Sequence, residues 1–264
     1  MPHCKSPFFI WFTGRSGSTH LCDLLDSHPQ VYCRKEDFCE VKIDGPNDAS
    51  EEAQKFSIKD VWFKRVMFTP DGSNDNPSPE DALDYLDEIF SSDSIAAGFK
   101  LKFPNQSVGY PEVVEQLQKT PGLKMVELIR ENTLKQSISL RNVERINALG
   151  VSSSCNATES VELEPLLLDV DLAVKHAQYF LRIREEFQQF TTAFKNTISV
   201  SYEQLCFEPE QTLPRILEFL EVDPTVDLTS KFSKTTPDNI RHAISNYDEL
   251  VAAVEGTDME KFLD

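Results

Sequence analysis

The segment from Phe8 to Thr19 reads FFIWFTGRSGST, an apolar run that breaks into Gly14, Arg15, Ser16, Gly17, Ser18 and Thr19 and continues as HLCDLLDSHP with helical spacing. A strand that delivers a Gly- and hydroxyl-rich loop to a helix start builds an anion cradle. Successive backbone N–H groups, the positive end of the helix dipole, the hydroxyls and the Arg15 guanidinium converge on one phosphate-sized group. A second cation, Arg130, ends the apolar stretch Val126 to Ile129. Thr133 and Gln136 follow it with the Thr-x-x-Gln spacing of a capping box, which predicts a helix start there. Ser137 and Ser139 lie further along that helix. Two residues apart means about 200° apart around the axis, so only one of them can face the same anion as Arg130.

The loop departs from a magnesium-nucleotide loop. In GxxxxGK[ST] a lysine reaches the terminal phosphates and the next hydroxyl holds Mg²⁺, whereas here Gly17 precedes Ser18 and the cation is Arg15. A nucleotide-dependent kinase or hydrolase is therefore the weaker alternative, and no Walker-B-like acidic strand end supports it. The loop instead resembles the 5′-phosphosulfate loop of sulfotransferases, in the form with Arg in place of Lys seen in bacterial trehalose and lipo-oligosaccharide enzymes and in carbohydrate sulfotransferases. The resemblance continues through LLDSHPQVYCRKEDF. KMVELIRENTLKQSISLRN is similar to the family's 3′-phosphate site, an Arg at a strand end with a Ser eight or nine residues later. SYEQLCFEPEQTLPRILEFLEV and the tail from Lys234 also look like family segments, so the likeness covers nearly the whole chain.

The resemblance implies a P-loop-like α/β fold with a central parallel sheet flanked by helices. It also implies 3′-phosphoadenosine 5′-phosphosulfate (PAPS) as donor, the bisphosphate PAP as product, no metal, and a small-molecule or glycan acceptor. The acceptor would be a hydroxyl or amine of a sugar, glycolipid or natural product. A non-catalytic protein that binds PAP or PAPS is the other alternative, since fold alone does not establish activity. Gly14 to Thr19, Arg130 and Ser139 are the implied donor ligands, with Ser139 preferred to Ser137 on the register of the flanking residues. An alcohol needs a general base, and the resemblance places it at Glu36. Asp37 and Glu40 are neighbours in the same RKEDFCE run that could take the role. Lys100, in GFKLKF, matches a family segment whose Lys faces the active site, and Lys102 shares its strand face. Lys231 and Lys234 are further cations able to close over the donor. Tyr202 is expected to be a packed strand residue.

The elements that must position these groups alternate between strands and helices. A strand at Phe8 to Thr13 precedes a helix at Thr19 to Ser27 and a connection through Arg34, Glu36 and Asp37. Helical stretches are expected near Ser50 to Phe68, and Pro70 to Pro79 is a loop by composition. Ser78 and Pro79 open a helix to Phe90. A strand at Ile95 to Phe103, a helix at Glu112 to Lys119 and the Arg130 strand with its helix follow. A long helix is predicted from about Leu166 to Phe194, then a strand at Thr197 to Leu205 and a helix beyond it. Phe180, Ile183, Phe187, Phe190 and Phe194 fall at helical spacing and predict core packing. Such alternation predicts a parallel sheet with ligands outside the strands' carboxyl ends.

Composition sets further bounds. The 264 residues suit a single α/β domain over 1–264. With 26 basic and 44 acidic residues the net charge is −18, which repels nucleic acid and anionic membranes. An anionic donor then requires cations concentrated at Arg15, Lys100, Lys102 and Arg130. The longest apolar run, Pro7 to Phe12, is too short to span a bilayer, and a cytoplasmic protein is expected. The six cysteines show no CxxC and are read as free thiols. His20 and His28 flank the first helix without metal-ligand spacing. Homodimerisation is left open. Cys39 to Phe90 and Val151 to Leu168 are expected to shape the acceptor pocket.

Overall fold

A computed structural model describes residues 4–44, 62–104, 109–148, 164–232, 236–237 and 239–263. Its centre is β1 (Ser6–Thr13), buried along its whole length, followed by α1 (Ser18–Asp26) and β2 (Val31–Arg34). Next come β3 (Phe38–Asp44), β4 (Trp62–Thr69), β5 (Gly72–Asp75), α2 (Pro79–Phe90), β6 (Ala96–Phe103) and α3 (Pro111–Lys119). β7 (Lys124–Ile129) leads to α4 (Thr133–Ala148), α5 (Val170–Thr191) and β8 (Thr197–Ser201). α6 (Tyr202–Phe207), α7 (Pro209–Phe219), α8 (Ile240–Ala243), α9 (Tyr247–Val254) and a 3₁₀ turn at Glu260–Phe262 complete the described chain.

β2, β6, β1, β7 and β8 form a five-stranded sheet in that order, with every pairing parallel. A parallel sheet needs cover on both faces, and alternation along β1 supplies it. Phe9 and Trp11 pack into a cluster with residues of α2, α3 and α5. Phe8, Ile10 and Phe12 pack on the other face with Leu21, Leu25, Ile216 and Leu217. The strand order puts β1 between β6 and β7, so the loop leaving β1 has the carboxyl ends of both beside it. Phe12 is level with Lys102 on one side and Leu128 on the other. The turn after β7 therefore starts alongside Gly14.

Several elements differ from the sequence expectation. Trp62–Thr69, expected helical, is strand β4, and residues 45–61 lie outside the described residues. β4 turns through Pro70 and Asp71 into β5, so part of the expected loop is a hairpin in a separate antiparallel sheet of order β3-β4-β5. The connection after Arg34 joins two strands, because Phe38 onward extends as β3. The long helix is Val170–Thr191, capped by Asp169 rather than starting at Leu166. Its Phe180, Ile183 and Phe187 are buried, while Phe190 is 46% exposed yet packs against Phe103 with ring centroids 5.2 Å apart. The last strand stops at Ser201, because Ser201 and Gln204 form a capping box that turns the chain into α6.

The cap of α4 is also displaced. Asn132 Oδ1 accepts the Lys135 N–H at 2.8 Å, whereas the Thr133 hydroxyl is buried without a hydrogen-bond partner among the described residues. Gln136 is drawn away from capping. Its Nε2 donates to Gly14 O at 2.6 Å and to Thr13 Oγ1 at 3.2 Å, tying α4 to the end of β1.

Candidate active site

The loop after β1 is held in a conformation few residues adopt. Arg15 has φ 64° and Gly17 has φ 83°, both in the left-handed region that favours glycine. At Gly17 there is a second constraint: a Cβ would lie 2.6 Å from Tyr202 Cδ2. Gly17 caps α1 without a side-chain hydrogen bond, and the first turn of α1 carries no acid. The positive end of this helix therefore faces the loop with no acid or side-chain cap of its own first turn against it. The Ser16 hydroxyl is fully buried and has no hydrogen-bond partner among the described residues.

Two guanidinium groups converge on this loop from different strands. Arg15 Nε donates to Ser139 Oγ at 3.3 Å, and Arg130 Nη1 donates to the main-chain oxygen of Arg15 at 3.2 Å. The Arg130 guanidinium lies over the Tyr202 ring at 4.3 Å, a cation–π contact. Burial and the nearby Arg130 charge lower the Arg15 pKa, while Glu36 works in the opposite direction. A buried Arg130, a half-buried Arg15, a helix start without a side-chain cap and an unsatisfied hydroxyl are the chemistry of a site that takes a phosphate-bearing ligand. Ser137 points elsewhere: its hydroxyl, fully buried, donates to Ala173 O of α5 at 2.9 Å.

A carboxylate reaches the same loop from β2. Lys100, on β6 and 1% exposed, donates from Nζ to Thr19 Oγ1 at 2.7 Å. Its Nζ also stands 3.1 Å from Glu36 Oε2, the Glu36 side chain being 36% exposed. Asp37, next in sequence, is engaged structurally. It accepts Arg34 Nε at 2.7 Å and the Tyr85 hydroxyl at 2.9 Å, and its main-chain oxygen accepts Phe68 N. Burial first, and then Asp37, raises the Tyr85 pKa, while at Arg34 burial lowers the pKa and the Asp37 partnership overrides it, raising the net value. Burial, then Glu36 and Asp37, pushes the Cys39 thiol up to about 11. Glu40 pairs with Arg65 in the β3–β4 ladder. Lys102 packs on the loop itself, its Nζ 3.6 Å from where a Gly14 Cβ would stand.

The structure thus brings Gly14 to Thr19, Glu36, Lys100, Lys102, Arg130 and Ser139 to one sheet edge. Lys231 is exposed, with its main-chain N–H donating to Asp23 Oδ2 of α1 at 2.6 Å. Lys234 lies outside the described residues. Tyr202, expected to pack in a strand, opens α6 and faces both Gly17 and Arg130. The signal for it was the Ser201/Gln204 capping box, which ends the strand before Tyr202. No group of three or more potential metal ligands occurs among the described residues. No helix among them is long and apolar enough to cross a membrane.

Compared with known proteins, the chain matches the sulfotransferase family profile over residues 7–227. It belongs to the sulfotransferase family. No curated protein sequence matches this sulfotransferase. Among solved structures, it is similar to a sulfotransferase from Alicyclobacillus acidocaldarius, with TM-score 0.51 and 18% identity over all of both chains. It also aligns with mouse sulfotransferase SULT7A1, solved in complex with PAP, at TM-score 0.45 and 14% identity, over all of this chain and 89% of that one. The sulfotransferase domain from the curacin biosynthetic pathway aligns at TM-score 0.46 and 16% identity, over all of this chain and 90% of that one. The first of these likenesses supports the α/β fold with its central parallel sheet.

Proposed function

We propose that this sulfotransferase transfers a sulfuryl group from PAPS to a hydroxyl or amine of a sugar, glycolipid or small natural product, by in-line attack with Glu36 as general base. One observation carries this: the Glu36 carboxylate is 3.1 Å from a lysine whose Nζ is 2.7 Å from the hydroxyl of Thr19, at the start of the phosphate-loop helix. A solvent-reached base and the anion loop are thereby coupled through one ammonium group. Asp37, bound to Arg34 and Tyr85, is the scaffold for that base.

When bound, the donor supplies an activated sulfuryl group attached to a phosphate leaving group. The loop N–H groups, Ser16, Ser18, Thr19 and Arg15 are suited to hold that phosphate and neutralise charge developing on it. Arg130 and Ser139 would anchor the 3′-phosphate, fixing the donor's orientation. Glu36 takes the acceptor's proton at its carboxylate. As it does so its attraction for Lys100 weakens, and the ammonium is left to the negative charge growing at Thr19. Support for PAPS comes from family membership and from this fit, including the unsatisfied Ser16 hydroxyl.

The chain would act as one domain, since α8 and α9 beyond the matched segment pack into one cluster with α4 and α5. Cys22 and Cys33 face each other as free thiols with Sγ atoms 3.4 Å apart. The function is tested with purified protein, labelled PAPS and a panel of hydroxyl and amine acceptors in the absence of metal. Stoichiometric PAP and sulfated product support it, and no turnover with any acceptor counts against it.

A further inference from the structure

The turn that carries Arg130 is bound from both sides by residues remote in sequence. Glu203, the second residue of α6, accepts the Glu131 N–H at 3.0 Å with one carboxylate oxygen and the Asn132 N–H at 3.1 Å with the other. Arg184, on α5, donates from Nη2 to Arg130 O, and to Glu131 O at 3.1 Å. Asn132 Nδ2 donates to Phe262 O at 2.7 Å. The carbonyls of Arg130 and Glu131 and the N–H groups of Glu131 and Asn132 thus all have charged partners. The charges of Arg184 and Glu203 also attract each other, opposing the loss of proton affinity that burial imposes on Arg184.

This arrangement distinguishes the two helix starts that border the site. α1 leaves its positive end to the loop. The approach to α4 is occupied by an internal carboxylate, so the N–H groups before α4 are closed to a ligand anion and the Arg130 side chain is what the turn presents. α6 supplies two parts at once. Tyr202 lies under the guanidinium and Glu203 holds the backbone beneath it.

We infer that Arg184 and Glu203 are positioning residues that set the Arg130 guanidinium for an anionic group, and that donor affinity depends on them through Arg130. The inference rests on the assignment of Arg130 to the donor's 3′-phosphate. Its test compares binding of adenosine 3′,5′-bisphosphate and adenosine 5′-phosphate by calorimetry. Glu203→Gln keeps an acceptor for only one of the two N–H groups, and Arg184→Gln removes the charge. Each should weaken the bisphosphate by about tenfold, the scale of misplacing a binding group by a fraction of an ångström. Each should leave the monophosphate unchanged, and kcat at saturating donor should stay within about twofold. In an Arg130→Ala background neither change should have a further effect on the ratio of the two affinities. Should Glu203→Gln fail to fold, Glu203→Asp, which keeps the charge but shortens the reach, carries the same expectation. Equal weakening of both ligands would mean that the pair only stabilises the fold, and would overturn the inference. If Arg130→Ala lowers the ratio while the Arg184 and Glu203 variants do not, the inference falls and the 3′-phosphate assignment stands. If Arg130→Ala also leaves the ratio unchanged, both fall.

Discussion

Arg130 Nη1 donates to the main-chain oxygen of Arg15 at 3.2 Å, although 115 residues separate them. Two guanidinium groups are thus held at one loop, and the proximity of Arg130 contributes to the lowered Arg15 pKa. Like charges kept together at a buried edge call for an anion between or beside them.

Adenosine 3′,5′-bisphosphate should therefore raise the unfolding temperature of the protein, because a ligand that binds only the folded state stabilises it. Arg130→Ala should weaken that ligand by about 2 kcal/mol, the scale of losing a charged hydrogen bond. Titration calorimetry of both proteins measures this directly, and equal affinities would remove Arg130 from the donor site.

Ser137 and Ser139 should separate stability from binding. The Ser137 hydroxyl donates to Ala173 O in the α4–α5 interface, so Ser137→Ala should cost about 1 kcal/mol of unfolding free energy with no change in donor KM. Ser139, bonded to Arg15 Nε, should show the opposite pattern on replacement by alanine. Denaturant unfolding and donor KM, measured on both variants, check the pair.

Gly17→Ala should destabilise the protein by about 1 to 3 kcal/mol, the range for strained backbone, since its φ is 83° and the new Cβ would meet Tyr202 Cδ2 at 2.6 Å. Removing the ring in Gly17→Ala/Tyr202→Ala should recover the part due to the clash and leave the backbone part. Denaturant midpoints of the single and double variants test this. A double variant no more stable than the sum of the singles would rule out the clash.

Alkaline stability should carry a signature of Cys39. Its thiol is raised from 9.0 to about 11, first by burial and then by Glu36 and Asp37. Between those values the unfolded chain releases a proton that the folded chain keeps, so stability is intact below pH 9 and falls as pH rises toward 11. Cys39→Ala should make the decline between these pH values shallower. Unfolding free energies measured at several pH values decide it, and an unchanged slope would show that other groups set it.

Much of the candidate site was legible because it is local. The loop after β1 announces itself by Gly14, Arg15, Gly17 and the hydroxyls between an apolar strand and a helix, and the Ser78–Pro79 start of α2 was equally plain. Thr133 and Asn132 are both competent caps one residue apart, and the choice fell to Asn132 once Gln136 was recruited to Gly14. The β4–β5 hairpin was lost because the apolar residues of WFKRVMFT suit either element, although the Pro70–Asp71 turn was available as a signal. Arg184 and Glu203 left no trace in the sequence. Their partners are backbone atoms 53 to 72 residues away, and no local pattern encodes such a meeting.

The central claim is that Glu36, 3.1 Å from Lys100 at the edge of the phosphate loop, is the base. Glu36→Gln removes the proton acceptor and little volume, so single-turnover transfer should slow by about 10² to 10⁴, the usual worth of a general base. Adenosine 3′,5′-bisphosphate affinity should stay near the parent value. Asp37→Asn, which disturbs the Arg34 and Tyr85 contacts, should lower stability more than Glu36→Gln does. Transfer by Glu36→Gln at the parent rate, or a larger loss in a well-folded Asp37→Asn, would contradict the assignment.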